Sequence, residues 1–90
     1  EDQTGRTLLN MKTLHIEYYA LLREQAGVKQ QTVQSEIRTP AELYNQLAAE
    51  HGFSLGTEQL RAVVNEEFVN WDRQLNDGDR VVFIPPVAGG

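Results

Sequence analysis

The chain has 90 residues, of which 40% are hydrophobic and 23% are charged, and its formal net charge is -5. This length fits one domain with a modest core, and the acidic balance weighs against nucleic acid as a partner, because phosphate contacts need clustered lysine and arginine. No apolar run is long enough to span a membrane, and the absence of cysteine excludes disulfides, thiolate metal ligands and a thiol nucleophile.

The N-terminal segment EDQTGRTLLN is polar and has no periodic pattern. It precedes the only methionine, Met11, which is a plausible start of the native chain. We therefore expect residues 1–10 to be a flexible extension that carries no core. The folded domain is expected to comprise residues 11–90.

The first part of this domain predicts two strands separated by a short helix. Leu14, Ile16 and Tyr18 alternate with polar residues, which is the pattern of a half-buried strand. Good helix formers over residues 20–26, closed by a glycine, predict a short helix. Residues 29–37 alternate again and predict a second strand. We expect the two strands to pair.

The main helix is predicted in the segment that begins at Thr39. The Thr39 side chain can accept a hydrogen bond from the N–H of Glu42, and the Glu42 side chain can accept one from the N–H of Thr39. Pro40 occupies the first helical position, where a missing N–H costs nothing. Apolar residues at helical spacing, including either Tyr44 or Ala48, continue up to a glycine that should end the helix.

Three short strands are predicted in the last third of the chain. Residues 61–65 and 68–71 form the first two, and Gly78 supplies the turn before the third. Residues 80–84 are almost continuously apolar, which indicates a central strand buried on both faces. The order of elements predicts an α+β fold in which one main helix packs across a mixed sheet. The β-grasp, or ubiquitin-like, arrangement fits this order, and so do other small α+β folds.

The candidate functional site is the end of the sequence. It comprises Pro85, Pro86, Val87, Ala88, Gly89 and Gly90. The prolines stiffen the chain as it leaves the sheet, and two residues without side chains make its tip thin enough for a narrow channel. Terminal glycines often mark only a frayed end, but a buried strand and a double proline directly before them favour a functional tail.

A carboxylate at Gly90 is a poor electrophile, so chemistry there requires activation, for example as an acyl-adenylate made from ATP. The activated carbonyl can accept sulfur to give a thiocarboxylate, or an amine to give an amide. Because the chain has no cysteine, it has no side-chain thiol on which to carry sulfur. The terminus is therefore the predicted bearer of any sulfur.

Other candidate sites are weaker. His15 and His51 are far apart and lack further ligands at metal-binding spacing, so no metal site is expected. Glu66 and Glu67 straddle a predicted turn and are not expected to form a catalytic carboxylate pair. Trp71 and the tyrosines are expected in the core or at an interface.

Four segments match a known family. They are YALLREQAG at residues 19–27, VNEE at 64–67, LNDGDRV at 75–81 and FIPPVAGG at 83–90. Through them, residues 11–90 resemble the small-subunit family of molybdopterin synthase (the MoaD family). The last segment is the most specific. Tyr19, where phenylalanine is more usual, and the N-terminal extension are the main departures.

The resemblance implies a β-grasp fold and a non-catalytic sulfur carrier in the cytoplasm, with no bound cofactor and with catalytic side chains on the large subunit. An adenylyltransferase related to ubiquitin-activating enzymes would adenylate Gly90 with ATP, and a sulfur donor protein would convert it to a thiocarboxylate. The tail would enter the large subunit within a heterotetramer and pass sulfur to a cyclic pyranopterin precursor of the molybdenum cofactor. The implied partner-binding residues are Phe83, near a hydrophobic docking surface, and Pro85, Pro86, Val87, Ala88 and Gly89 in the inserted tail.

Three other functions remain open at this stage. The chain could carry sulfur for thiamine, cysteine or tRNA thiolation, although the double proline favours the molybdopterin pathway over a thiamine-type carrier. It could be a protein modifier that forms amides with lysines of target proteins. It could also be an interaction module of the same fold, for which Gly89 and Gly90 would be dispensable.

Overall fold

The computed structural model describes residues 11–85. Its elements in chain order are β1 (Lys12–Tyr18), α1 (Ala20–Ala26), β2 (Gln30–Ser35), α2 (Pro40–His51), a 3-10 turn (Thr57–Gln59), β3 (Arg61–Val64), β4 (Glu67–Val69) and β5 (Arg80–Ile84). None of the helices in this part of the chain is long and apolar enough to cross a membrane. The predicted extension over residues 1–10 lies outside the described residues.

The strands form one five-stranded sheet in the order β2-β1-β5-β3-β4. β1 pairs parallel with β5 and antiparallel with β2, while β3 pairs antiparallel with both β4 and β5. This arrangement confirms the predicted mixed sheet, the pairing of the first two strands and the central position of the last strand. A parallel β1–β5 pair needs a long crossover connection, and the segment that contains α2 provides it.

The core lies between α2 and one face of the sheet. Leu14, Ile16 and Tyr18 of β1 are at most 2% exposed, as their alternation predicts. α2 contributes a stripe of residues that are equally buried: Leu43, Tyr44 and Leu47. Of the two residues between which the sequence did not decide, Tyr44 is buried and Ala48 is only half-buried. Full burial of each such side chain contributes about 1.5–3 kcal/mol.

Both ends of α2 are capped. Thr39 Oγ1 accepts a hydrogen bond from the N–H of Glu42 at 3.3 Å, and Gly52 ends the helix with a left-handed backbone, φ 72°. The predicted hydrogen bond from the N–H of Thr39 to the Glu42 side chain is wrong by one residue. The Glu42 carboxylate accepts instead from the N–H of Arg38, at 2.9 Å. Thr39 has an extended backbone, and the N–H that Glu42 reaches belongs to the residue before it.

The bounds of β2, β3 and β4 differ from the prediction, and β4 ends at Val69 rather than at residue 71. β2 ends at Ser35 rather than residue 37, because the Ser35 side chain accepts from the N–H of Ile37 at 3.1 Å and turns the chain. The turn between β3 and β4 consists of Asn65 and Glu66, both with positive φ (52° and 72°). Glu67, which the sequence placed in the turn, is therefore the first residue of β4.

The two faces of β5 differ in burial. Val81 and Phe83 are 0% exposed and face α2, whereas Val82 and Ile84 alternate with them and are only half-buried. The expectation that this strand is buried on both faces is wrong, because α2 covers one face of the sheet and the other face remains accessible. We refer below to the accessible side as the open face.

Candidate functional site

The predicted tail begins where β5 ends. In the sheet, Phe83 lies opposite Tyr18 at the end of β1, and Ile84 lies opposite Arg61 at the start of β3. Pro85 follows and is half-buried. The chain therefore leaves the fold from the middle of the sheet, with a hydrogen-bonded strand on each side of its last strand. The other predicted tail residues, Pro86, Val87, Ala88, Gly89 and Gly90, lie outside the described residues.

Phe83 anchors this exit from inside the core. Its ring stacks on Trp71, with the ring centroids 5.8 Å apart and an interplanar angle of 6°, and it meets the edge of Tyr44 at 5.1 Å and 71°. Aromatic pairs of this kind contribute about 0.5–1.5 kcal/mol beyond the area that they bury. The sequence analysis placed Phe83 near a docking surface; because its side chain is 0% exposed and points toward α2, the ring itself offers no surface to a partner.

The apolar surface near the exit lies instead on the open face. Ile84 and Val82 line a shallow cavity of about 250 Å³ together with Tyr19 and Val63, and Tyr19 is 47% exposed. Phe68, which pairs with Val63 across β3 and β4, is 63% exposed. The sequence analysis missed this surface, because residues 80–84 are almost continuously apolar and their order does not show which side chains face α2.

Charged groups border the apolar surface of the open face. The guanidinium of Arg61 lies 4.5 Å from the ring centroid of Phe68, which is a cation–π contact. The Tyr19 hydroxyl donates a hydrogen bond to the Glu17 carboxylate at 3.1 Å. This bond, with the negative charge of Glu17, raises the pKa of Tyr19 above its usual value. Tyr19 thus presents its aromatic ring on the open face, with its hydroxyl held by Glu17.

The start of β5 is fixed by a pair of polar side chains. Asn65 Nδ2 donates to Asp79 Oδ1 at 2.9 Å, and the N–H of Arg80 donates to Asn65 Oδ1 at 3.0 Å. The second carboxylate oxygen of Asp79 accepts from the N–H of Asn76 at 2.8 Å. These bonds tie the β3–β4 turn to the turn before β5, so the start of the strand that leads to the exit is fixed.

The other residues considered from the sequence do not come together as a site. His15 is exposed on β1, while His51 contacts Gln31 Oε1 at 2.9 Å. Within residues 11–85 no group of three or more potential ligands could hold a metal ion. Glu66 and Glu67 are both exposed, one in the turn and one in β4. What the described residues offer is a rigid base for the tail and an exposed apolar surface beside it.

Comparison with protein families and with curated proteins gives two sequence matches. The profile of the ThiS family matches residues 16–90. The molybdopterin synthase sulfur carrier subunit of Escherichia coli (strain K12) is 36% identical over 76 residues, which cover 81% of this chain and 94% of the relative. The family match includes the central strand and its exit.

Solved structures share the fold. Subunit 1 of a molybdopterin converting factor from Pyrococcus furiosus has a TM-score of 0.70 and 26% identity, over 84% of this chain and 99% of its own. A complex of subunits 1 and 2 of the molybdopterin-converting factor from Helicobacter pylori matches with a TM-score of 0.62 and 19% identity, over 87% of this chain and 99% of the matched chain. Small archaeal modifier protein 1 of Haloferax volcanii matches with a TM-score of 0.73 and 20% identity, over 84% of this chain and 99% of its own. The last two likenesses show the fold alone.

Proposed function

This chain belongs to the ThiS family, and on that premise we propose that it is the sulfur-carrier subunit of a molybdopterin synthase. The observation that carries the proposal is the 36% identity with the E. coli sulfur carrier subunit over 94% of that protein. The family match supports it further, because it extends through Gly90. The reactive group in this proposal is the carboxylate of Gly90.

The proposed chemistry takes place at that carboxylate. An activating enzyme transfers AMP from ATP to a carboxylate oxygen of Gly90 and releases pyrophosphate. A donor protein then supplies sulfur at the oxidation level of sulfide, which attacks the acyl carbon and displaces AMP to leave a thiocarboxylate. The large synthase subunit takes up the tail and, with its own catalytic side chains, passes the sulfur to a cyclic pyranopterin precursor. Gly89 keeps the tip narrow, and these steps take place in the cytoplasm.

The architecture at the exit supports a role as a presented tail. β5 lies in the middle of the sheet, and the end of this strand is held in the core by the buried ring of Phe83, which stacks on Trp71. The tail that a partner binds is therefore attached to a central strand that is hydrogen-bonded on both sides, rather than to an edge strand. Pro85 directs the chain away from the ladder, since proline has no N–H to donate.

In this proposal the open face is the docking surface. Beside the exit, Tyr19 and Phe68 are exposed and Ile84 is half-buried. Accessible apolar surface next to a functional group is typical of a protein interface. The proposed partner is a large synthase subunit, in line with the complex of subunits 1 and 2 that the H. pylori structure contains. A heterotetramer of two small and two large subunits is the proposed assembly.

Complementation tests the proposal. Expression of the chain in a bacterial strain that lacks its own small synthase subunit should restore the activity of a molybdenum enzyme, whereas a variant without Gly89 and Gly90 should fold and fail. Good expression of a folded chain without restored activity would contradict the assignment. Adducts between this chain and lysines of other proteins would instead indicate the protein modifier that the sequence analysis left open.

A further inference from the structure

One carboxylate lies within the apolar part of the open face. Glu17 is half-buried in β1 and lies opposite Val82 of β5. It lines the cavity of about 250 Å³ whose apolar lining includes the half-buried side chains of Val63, Val82 and Ile84. A second carboxylate at this cavity, that of Glu66, is exposed in the β3–β4 turn. Glu17 is therefore the acid that a partner on the open face would cover most completely.

The Glu17 carboxylate keeps the capacity to accept further hydrogen bonds. Within the described part of the chain it accepts one from a side chain, because the Tyr19 hydroxyl donates to Glu17 Oε2 at 3.1 Å. An ionised carboxylate has two oxygens and about four positions at which it accepts a donor. The bond to Tyr19 thus fixes the direction of the carboxylate and leaves Oε1 available to a group that arrives from outside.

Negative charge is in excess at the border of this cavity. Its charged residues are two acids, Glu17 and Glu66, and one base, Arg80. Arg80 lies directly across from the turn that carries Glu66, because the N–H of Asn65 donates to the Arg80 carbonyl at 2.9 Å. One guanidinium is therefore shared between two carboxylates, and one negative charge at the cavity has no counter-charge among its lining residues.

A basic side chain meets both requirements of the cavity. A protein that covers the open face removes water from Glu17, and burial of an ionised carboxylate is strongly unfavourable unless the group is paired and hydrogen-bonded. Lysine and arginine pack their methylene stems on apolar surface while the charged head stays with polar groups. The stem fits the apolar lining, and the head is within the class of donors that a carboxylate binds most strongly.

We propose that Glu17 is a specificity-determining residue of the docking surface and that it binds a lysine or arginine side chain of the large synthase subunit. This inference rests on the proposed function, in which the open face docks that subunit. The stem of the basic side chain lies on Val63 and Ile84, beside the ring of Tyr19, and its head donates to the Glu17 carboxylate. Because a carboxylate at this position attracts a base and repels an acid, it selects among large subunits.

Binding of the large subunit, measured by calorimetry with single variants, tests the inference. Glu17→Gln keeps the size of the side chain and an oxygen that the Tyr19 hydroxyl can reach, but it removes the charge. It should weaken binding about tenfold or more, because the partner's basic group would be buried without its counter-charge. Glu17→Lys should weaken binding further, since two positive charges would then meet. Glu36→Gln is the matched control, because it removes the same charge from an exposed residue just after β2 and should leave the affinity unchanged.

Ionic strength gives a readout that a mere change of shape would not move. Raising the salt concentration from about 0.05 M to about 0.5 M should weaken binding of the wild-type chain more than binding of Glu17→Gln, because salt screens the attraction between opposite charges. Parallel salt dependences in the two proteins would show that Glu17 forms no ion pair with the large subunit and would overturn the inference.

The free chain provides a third readout. The bond between Tyr19 and Glu17 is exposed to solvent, so Glu17→Gln should shift the thermal unfolding midpoint by no more than about 3 °C. A larger drop would show that Glu17 already has an internal ionic partner, such as Arg80, and would overturn the inference.

The outcomes of the binding experiment separate the inference from the function. Wild-type affinity in Glu17→Gln would overturn the inference and leave the proposed function standing. Failure of the wild-type chain to bind the large subunit would overturn both. Self-association of the free chain that Glu17→Gln abolishes, measured by analytical ultracentrifugation, would identify a second copy of the chain as the occupant and contradict the assignment to the large subunit.

Discussion

Asn65 and Asp79 connect the β3–β4 turn to the start of the central strand: Asn65 Nδ2 donates to Asp79 Oδ1 at 2.9 Å. Asn65 has a left-handed backbone, φ 52°, which asparagine tolerates better than most residues. Asp79 is 6% exposed and also accepts from the N–H of Asn76. The two residues thus fix β5 before it leads to the exit.

This pair predicts a loss of stability on truncation. Asp79→Ala should lower the free energy of unfolding by about 2–3 kcal/mol, because the Asn65 amide and the Asn76 N–H both lose a charged acceptor. Urea denaturation measures the change. Glu36→Ala is the control, since Glu36 is an exposed carboxylate and its removal should cost less than about 0.5 kcal/mol. Equal losses in the two variants would contradict the role of Asp79.

Burial alternates along β5, so substitutions at two neighbouring positions should differ in whether they affect stability or partner binding. Phe83→Ala should lower the free energy of unfolding by about 3–5 kcal/mol, since it leaves a cavity beside Trp71 and Tyr44. Ile84→Ala should cost less stability but weaken binding of the large subunit, because Ile84 lies on the open face. Denaturation and calorimetry on both variants check this, and a destabilised Ile84→Ala with unchanged binding would refute the docking surface.

The cap of α2 gives a prediction independent of function. Thr39→Ala should lower the free energy of unfolding by about 1 kcal/mol, because the N–H of Glu42 loses the acceptor that it contacts at 3.3 Å. Thr39→Ser keeps the hydroxyl and should cost little. Thermal unfolding of the three proteins measures the order, and a Ser variant as unstable as the Ala variant would show that the hydroxyl is not the stabilising group.

Buried tyrosines predict a loss of stability at alkaline pH. Burial, and then the charge of Glu50, raises the pKa of Tyr18 well above its usual value of 10.0, and burial also raises the pKa of Tyr44. A raised pKa in the folded state gives stability that is fully present below the unfolded pKa and is lost as pH rises above it. Unfolding free energies measured from neutral pH to above pH 10 should therefore fall.

Tyr18→Phe tests the source of that fall. The variant loses the hydrogen bond to Gln31 and should be somewhat less stable at neutral pH. Its stability should nevertheless decline less steeply at alkaline pH, because one of the two phenols no longer ionises on unfolding. An unchanged slope would show that other groups cause the decline.

Local patterns were sufficient to predict most of the elements. The alternation of Leu14, Ile16 and Tyr18, the Thr39 cap and the glycine that ends α2 each depend on chemistry within a few residues, and all three are confirmed. The central place of β5 was also predictable, because a long apolar run is costly at a sheet edge.

What the sequence did not reveal depends on tertiary packing. Phe83 and Ile84 are both apolar, and only the position of α2 determines which of them is buried. The end of β2 at Ser35 required knowledge of one side-chain hydrogen bond.

The central claim is that Gly90 carries sulfur, and intact-protein mass spectrometry tests it most directly. The chain would be incubated with ATP, a matched activating enzyme and a sulfur donor, beside a variant that lacks Gly90. We expect a gain in mass equal to the replacement of one oxygen by one sulfur, absent from the variant. An unchanged mass, with an activating enzyme that modifies another carrier in the same mixture, would contradict the account.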